Sequence, residues 1–180
     1  MTDFVKVFIE TERGSDRQYK WNPNTQRLDT VRILPNSHRF PYSIGYIPNT
    51  LSQFGGEVLA LCVSNRKHKS GMFHFGYIIG VLNIHLMDDN TPSQPIYQIL
   101  IMYPIDDLLD YNLNEVYDLD TATLQQIKWF FSYHWEVPGI PKQTVMLCDF
   151  SHRRQAVEFY QDAISRWKTT SENNNKYIVS

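Results

Sequence analysis

Acidic and histidine side chains are the residues of this chain that could bind a metal ion or transfer protons. Glu57, His85, Asp88 and Asp89 are the candidates of this kind. Asp88 and Asp89 stand side by side in a polar segment, which favours a solvated acidic loop over a metal site. The six histidines are scattered without the HxxxH or HxH spacing of paired ligands, as surface or core histidines usually are. These residues alone predict no metal site.

Nucleophile motifs are equally weak. Gly55 and Gly56 predict a turn rather than a phosphate-binding loop, because no strand–glycine–helix pattern with a Lys-Ser/Thr pair follows them. Ser43 lacks the GxSxG context of a nucleophilic serine. Cys62 and Cys148 each stand inside an apolar run, which predicts small buried side chains in a reducing compartment. We find no nucleophile, base and orienting group together.

Composition narrows the class of protein. The chain has 180 residues, a length typical of one domain with a substantial core, and its net charge is -2. This charge gives no positive field for nucleic acid or an anionic membrane, so neither is predicted as a partner. Neither a signal peptide nor an apolar run of membrane-spanning length is visible, which predicts a cytoplasmic protein.

Short strands precede two helices in the predicted order of elements. The strand-like segments are 5–9, 18–21, 28–34, 58–63, 73–86 and 96–102. Thr121 is the predicted cap of a first helix that ends near Trp135, and Ser151 is the predicted cap of a second over 154–168. This order predicts one α+β domain, residues 1–170, around a closed barrel, with a disordered polar tail over 171–180.

An ordered series of short motifs links the chain to a known family. The motifs are the run from Val7 to Glu10, Tyr19, Arg32, Phe40-Pro41, the run from Gly45 to Ile47, the run from Asn49 to Leu51, the run from Gly80 to Leu82, and Phe130-Phe131. Together they resemble the soluble family I inorganic pyrophosphatases from about residue 5 to 168. The resemblance implies a five-stranded OB-like β-barrel flanked by two α-helices.

The family's metal ligands are the part that the resemblance does not carry over. Hydrolysis of diphosphate in this family uses several divalent ions that are held by clustered carboxylates. The family's Asp-Gly-Asp-Pro-x-Asp motif aligns with 54–59, which places Phe54, Gly56 and Leu59 at its three aspartates. A fourth aspartate falls at Leu86. The resemblance therefore implies that the Mg²⁺ ligands are absent.

Most of the family's phosphate-binding residues are also replaced. The substituted positions are Gln18 and Lys20 in the Lys-Tyr-Glu motif, Phe40 and Ile44 for two tyrosines, Pro95 and Tyr97 for an aspartate and a lysine, and His134 and Trp135 for the late Tyr-Lys pair. Glu10 and Arg32 keep the family's identities. Because the loss of one electrostatic stabiliser typically lowers a rate by about 10²–10³, these changes predict an inactive protein.

The leading prediction is thus a pyrophosphatase-like pseudoenzyme that needs no cofactor and acts as a binding or structural subunit. Lys20, Arg32 and Arg39 would line the old site, where they could bind an anion such as a phosphate or a nucleotide without a metal. The alternative is an anion- or nucleotide-binding protein, or a phosphohydrolase, with a site rebuilt around Glu10, Lys20, Arg32, Asp88 and Asp89. In the simplest case Phe54 and Leu59 only fill the pocket.

Aromatic residues on the first helix predict a contact surface. Trp129, Tyr133 and Trp135 spread around this helix, whereas Phe130 and Phe131 should face the core. Exposed tryptophan and tyrosine side chains are frequent in protein interfaces. We therefore expect a protein partner or self-association through Trp129, Tyr133 and Trp135.

Overall fold

A computed structural model describes residues 3–87, 94–107, 113–142 and 144–178, and the side chains as far as residue 173. Within these residues the chain forms eight strands, two α-helices and two short 3-10 turns. The strands are β1 (Phe4–Thr11), β2 (Arg17–Asn22), β3 (Arg27–Ile33), β4 (Ser43–Ile47), β5 (Val58–Cys62), β6 (Phe73–Leu86), β7 (Tyr97–Pro104) and β8 (Met146–His152). The helices are α1 (Thr121–Tyr133) and α2 (Arg153–Ile178).

Five of the strands close into a ring. Their order is β1-β4-β5-β7-β6, and a further pairing between β1 and β6 completes the circle. The pair β5 and β7 is parallel and the other pairs of the ring are antiparallel. Strand β8 extends the sheet beyond β6, and β2 with β3 forms a separate hairpin. The predicted five-stranded barrel with two helices is confirmed.

Two cores explain why the central strands are apolar on both faces. One contains side chains from all five ring strands together with Ala156, Phe159 and Ala163 of α2. The other lies between the sheet and α1, where Phe130 and Phe131 are buried. Because both faces of these strands are covered, their sequences are continuous apolar runs rather than alternating ones.

Two strands differ from the predicted elements. Residues 43–47 form β4, although the prolines on either side of this segment indicated irregular chain. Ser151 lies in β8, so α2 begins only at Arg153 and Ser151 is not its cap.

The cap of α1 is Asp120 and not Thr121. The Asp120 carboxylate accepts a hydrogen bond from the Thr123 amide at 2.9 Å.

Helix α2 is longer than predicted. It continues to Ile178 through residues assigned to a disordered tail, because the polar residues after Lys168 include no glycine or proline that would end a helix. No helix within the part of the chain described here is both long and apolar enough to cross a membrane.

Gly45 is required where β1 and β4 pair. It lies opposite Ile9 on β1 and Ala60 on β5. An added Cβ would overlap the carbonyl oxygen of Phe8. We expect Gly45→Ala to lower the free energy of unfolding by about 1–3 kcal/mol or more, measured by urea titration. Gly139→Asn is the control, because its new side chain meets open space and asparagine tolerates a positive φ; an equal loss in both variants would contradict this explanation.

Candidate active site

A cavity of about 540 Å³ lies where the ring strands meet the β2–β3 hairpin. Strands β1, β4, β5 and β7 are consecutive neighbours in the ring, so residues near their ends converge on one site. The lining consists of Glu10, Lys20, Trp21, Pro23, Tyr46, Phe54, Gly55, Gly56, Glu57, Leu59, Tyr97 and Pro138. This is the place at which the resemblance put the family's catalytic groups.

Glu10 is the buried acid of this cavity. It is only 8% exposed, and its Oε1 accepts a hydrogen bond from the Trp21 amide at 2.7 Å. Burial raises the pKa of Glu10 from its ordinary value of 4.5 to about 7, while the Trp21 amide and Lys20 oppose this shift and the Glu57 carboxylate adds to it. Near neutral pH Glu10 therefore populates both protonation states, which is the property that a general acid or base needs.

Two tyrosines supply hydroxyl groups to the same cavity. Burial raises the pKa of the Tyr97 phenol, and the charge of Glu10 adds to this effect. The pKa of Tyr46 is raised in the same way by burial, Glu10 and Glu57. Both phenols stay protonated at neutral pH and can donate hydrogen bonds. Sequence reasoning missed Tyr46 as a site residue, although it stands inside the family motif from Gly45 to Ile47.

The predicted cluster of cations is only partly present. Lys20 lines the cavity, whereas Arg32 and Arg39 do not. The guanidinium of Arg32 lies 3.2 Å from the Glu136 carboxylate. Arg39 instead lies 3.3 Å from Asp16. The predicted anion site of three cations is therefore reduced to Lys20, because acidic partners from other segments bind the two arginines.

The substituted family positions fall into three environments. Phe54, Gly56 and Leu59 line the cavity, as the resemblance implied. Phe40 and Ile44 are core residues, and Leu86 is 36% exposed at the end of β6. Gln18 pairs with Arg32 across the hairpin, and Pro95 is half-buried just before β7.

The late pair of substituted positions lies apart from the cavity. The His134 ring lies against that of His38, with 4.0 Å between their centroids. Trp135 is only 7% exposed and packs on Phe131. Trp135 is therefore not available for the surface predicted around α1, whereas Trp129 and Tyr133 are 49% and 56% exposed.

The residues present do not fit the family's Mg²⁺ cluster. Among the described residues no three His, Cys, Asp or Glu side chains lie close enough to hold a metal ion. Two carboxylates line the cavity, those of Glu57 and Glu10. Glu57 is exposed, and the raised pKa of Glu10 disfavours the charged form that a metal ligand requires. Asp88 and Asp89, considered for a rebuilt site, lie outside the described residues.

The closed ring of five strands with a side cavity defines an OB-like barrel protein. Within this class, the family model for inorganic pyrophosphatase matches residues 7–168, so the chain belongs to the inorganic pyrophosphatase family.

Individual relatives agree with this assignment. The inorganic pyrophosphatase of Helicobacter pylori strain 26695 is 28% identical over 168 residues, which cover 92% of each chain. That of Saccharolobus solfataricus is 27% identical over 92% of this chain and 93% of its own. The solved structure of the Thermus thermophilus inorganic pyrophosphatase, at 23% identity, has the same fold with a TM-score of 0.78 and covers 92% of both chains.

These comparisons contradict two predictions. The prediction of a pseudoenzyme that serves as a binding or structural subunit is wrong, because relatives along nearly the whole chain are named as pyrophosphatases. The prediction of no cofactor is wrong for the same reason, since the family's chemistry depends on Mg²⁺. Both followed from counting replaced ligands, although Glu10 keeps its family identity in the cavity and Tyr46 was not considered.

Proposed function

We propose that this protein is an enzyme that hydrolyses a phosphoanhydride bond, with inorganic diphosphate as its reference substrate. Membership of the pyrophosphatase family supports the reaction class. The observation that carries the proposal is Glu10, a buried carboxylate with a pKa of about 7 that lines a cavity next to Lys20. Such a group can take a proton from water at neutral pH.

The chain's own residues account for proton transfer, for stabilisation of the phosphate charge and for hydrogen bonding to the phosphate. A water oxygen forms a bond to phosphorus while the bond from phosphorus to the bridging oxygen breaks. Glu10 accepts the proton that the water loses, and the released phosphate carries the electron pair of the broken bond. Lys20 lowers the energy of the negative charge on the phosphate oxygens, and Tyr46 donates a hydrogen bond to them. Because the residues present do not fit the metal cluster, no step is assigned to Mg²⁺.

A direct assay tests the proposal. The purified chain is incubated with inorganic diphosphate and Mg²⁺, with a second series in a chelator, and released phosphate is measured. We expect release well above the rate without protein. A correctly folded chain that releases no phosphate in either series would refute the proposal.

The charge of Lys20 should contribute modestly to the rate. Its side chain is exposed, so its interaction with phosphate is weakened by water. We expect Lys20→Met to lower kcat/KM for diphosphate about 10-fold and Lys20→Arg to restore most of it. Lys168→Met, far along α2, is the control. If the control and Lys20→Met lost the same activity, the effect would not come from the cavity.

We also propose that Trp129 and Tyr133 mediate self-association. Both are exposed on one face of α1, and their ring centroids lie 6.2 Å apart. Because aromatic anchors carry much of the energy of an interface, Trp129→Ala should weaken assembly about 10- to 100-fold in sedimentation velocity. Phe75→Ala, at an exposed aromatic on β6, is the matched control. A wild-type chain that stays monomeric would contradict this surface.

An intracellular location completes the proposal. Cys62 is buried and Cys148 is half-buried, and neither is in a disulfide. Unpaired cysteines fit a reducing compartment.

A further inference from the structure

Aromatic and apolar side chains form one part of the cavity wall beside Glu10. Phe54 and Tyr97 lie against each other, with 5.6 Å between their ring centroids and 30° between their planes. Leu59 and Trp21 add further apolar surface. The resemblance places Phe54 and Leu59 at aspartates and Tyr97 at a lysine, so apolar surface stands where the family has charges.

Bare diphosphate makes poor use of such a lining. It consists of charged oxygens around two phosphorus atoms, and it gains nothing from contact with a phenyl ring or a leucine side chain. Lys20 is the cation among the described lining residues, whereas Arg32 is bound to Glu136. The volume of about 540 Å³ is within the range of sites that hold whole organic ligands, and it leaves space beyond two phosphate groups.

A planar ring in the substrate would use this surface. Any nucleobase can stack on an aromatic side chain, since every base has a π-face. We propose that the site takes a nucleoside diphosphate, with the base against Phe54 and Tyr97 and the phosphates towards Lys20 and Glu10. This inference rests on the proposed hydrolytic function and names the substrate class for the same cavity.

The reaction with this substrate balances without a further reactant. Water attacks the terminal phosphorus, and the bond between that phosphorus and the bridging oxygen breaks. Glu10 takes the proton of the water, and the products are a nucleoside monophosphate and inorganic phosphate. The base takes no part in the chemistry and serves to hold the substrate.

Equilibrium binding separates this inference from the hydrolytic proposal. Calorimetry with ADP and with inorganic diphosphate is performed in a Glu10→Gln background, so that neither ligand is consumed. We expect ADP to bind more tightly than diphosphate. The affinity ratio of ADP to diphosphate should fall about 5- to 150-fold in Phe54→Leu, which corresponds to the loss of one base–aromatic stack.

A control variant and a second test variant make the outcome decisive. Phe75→Leu removes an exposed aromatic outside the cavity and should leave the ratio unchanged. Tyr97→Leu tests the other half of the aromatic pair, and thermal unfolding of each variant shows whether it is folded. Equal affinities for ADP and diphosphate, or a ratio that Phe54→Leu and Tyr97→Leu leave unchanged, would overturn the inference. Tight ADP binding without phosphate release by the wild type would instead refute the hydrolytic proposal, and with it the reaction, while the nucleotide-binding site would stand.

Discussion

Replacement of Glu10 by glutamine is expected to lower the rate of phosphate release by about 10²–10⁴-fold, the usual contribution of a general base. The amide oxygen can still accept the hydrogen bond from the Trp21 amide, so the fold of the cavity should be kept. What the amide cannot do is accept the proton of the attacking water. Steady-state release of phosphate from diphosphate measures this loss.

The pH profile provides an independent readout of the same role. A base must be deprotonated to act, so kcat/KM of the wild type should rise with pH and level off above about 7, the pKa of Glu10. Glu10→Gln should show no inflection there. A variant that keeps the wild-type rate, or that keeps the inflection, would contradict the assignment of Glu10 as the base.

The same substitution should stabilise the protein at alkaline pH. The folded state raises the pKa of Glu10 from 4.5 to about 7, so folding favours the protonated acid. The stability that this gives is fully present below pH 4.5 and is lost as the pH rises through 7. At 1.36 kcal/mol for each pKa unit the whole difference is about 3 kcal/mol. Since glutamine is neutral at every pH, Glu10→Gln should be more stable than the wild type by up to this amount at pH 8.

Urea titrations at several pH values measure this difference, which should vanish near pH 4. Glu12 is a matched control on the same segment, because its hydrogen bonds with Lys67 and Ser70 lower its pKa. A carboxylate with a lowered pKa stabilises the fold above its unfolded pKa and loses this effect as the pH falls. Glu12→Gln should therefore destabilise the protein at neutral pH. If the stabilities of the two variants changed with pH in the same way, burial would not be what raises the pKa of Glu10.

The barrel was predictable because its signals are local. Short apolar runs such as 58–63 and 96–102 indicate strands from their own residues, and both contribute to strands of the ring. Strand β4 was missed because both of its faces are buried, which removes the alternation that marks a strand. Strand β8 was missed because exposed residues such as Leu147 interrupt its pattern and Ser151 resembles a helix cap.

The candidate site was predictable in position but not in chemistry. Sequence motifs placed Phe54 and Leu59 at the position of the family's active site, and both residues line the cavity. The pKa of Glu10 could not be inferred, because it depends on burial by segments that are distant in the chain. The pairing of Arg32 with Glu136 is likewise a tertiary contact. A residue that keeps its family identity, as Arg32 does, need not keep its partner.

The pairing of β1 with both β4 and β6 determines how the strands of the ring can separate. β1 pairs with β6 from Phe4 to Phe8 and with β4 from Phe8 to Thr11, so each half of the strand is held by a different neighbour. Amide hydrogens in these pairings exchange with solvent only when a pairing opens, so we expect them to be among the slower-exchanging ones of the molecule. Contacts of such long sequence separation are costly in loop-closure entropy, so we expect the ring to close late in folding and Glu10 to become buried only then.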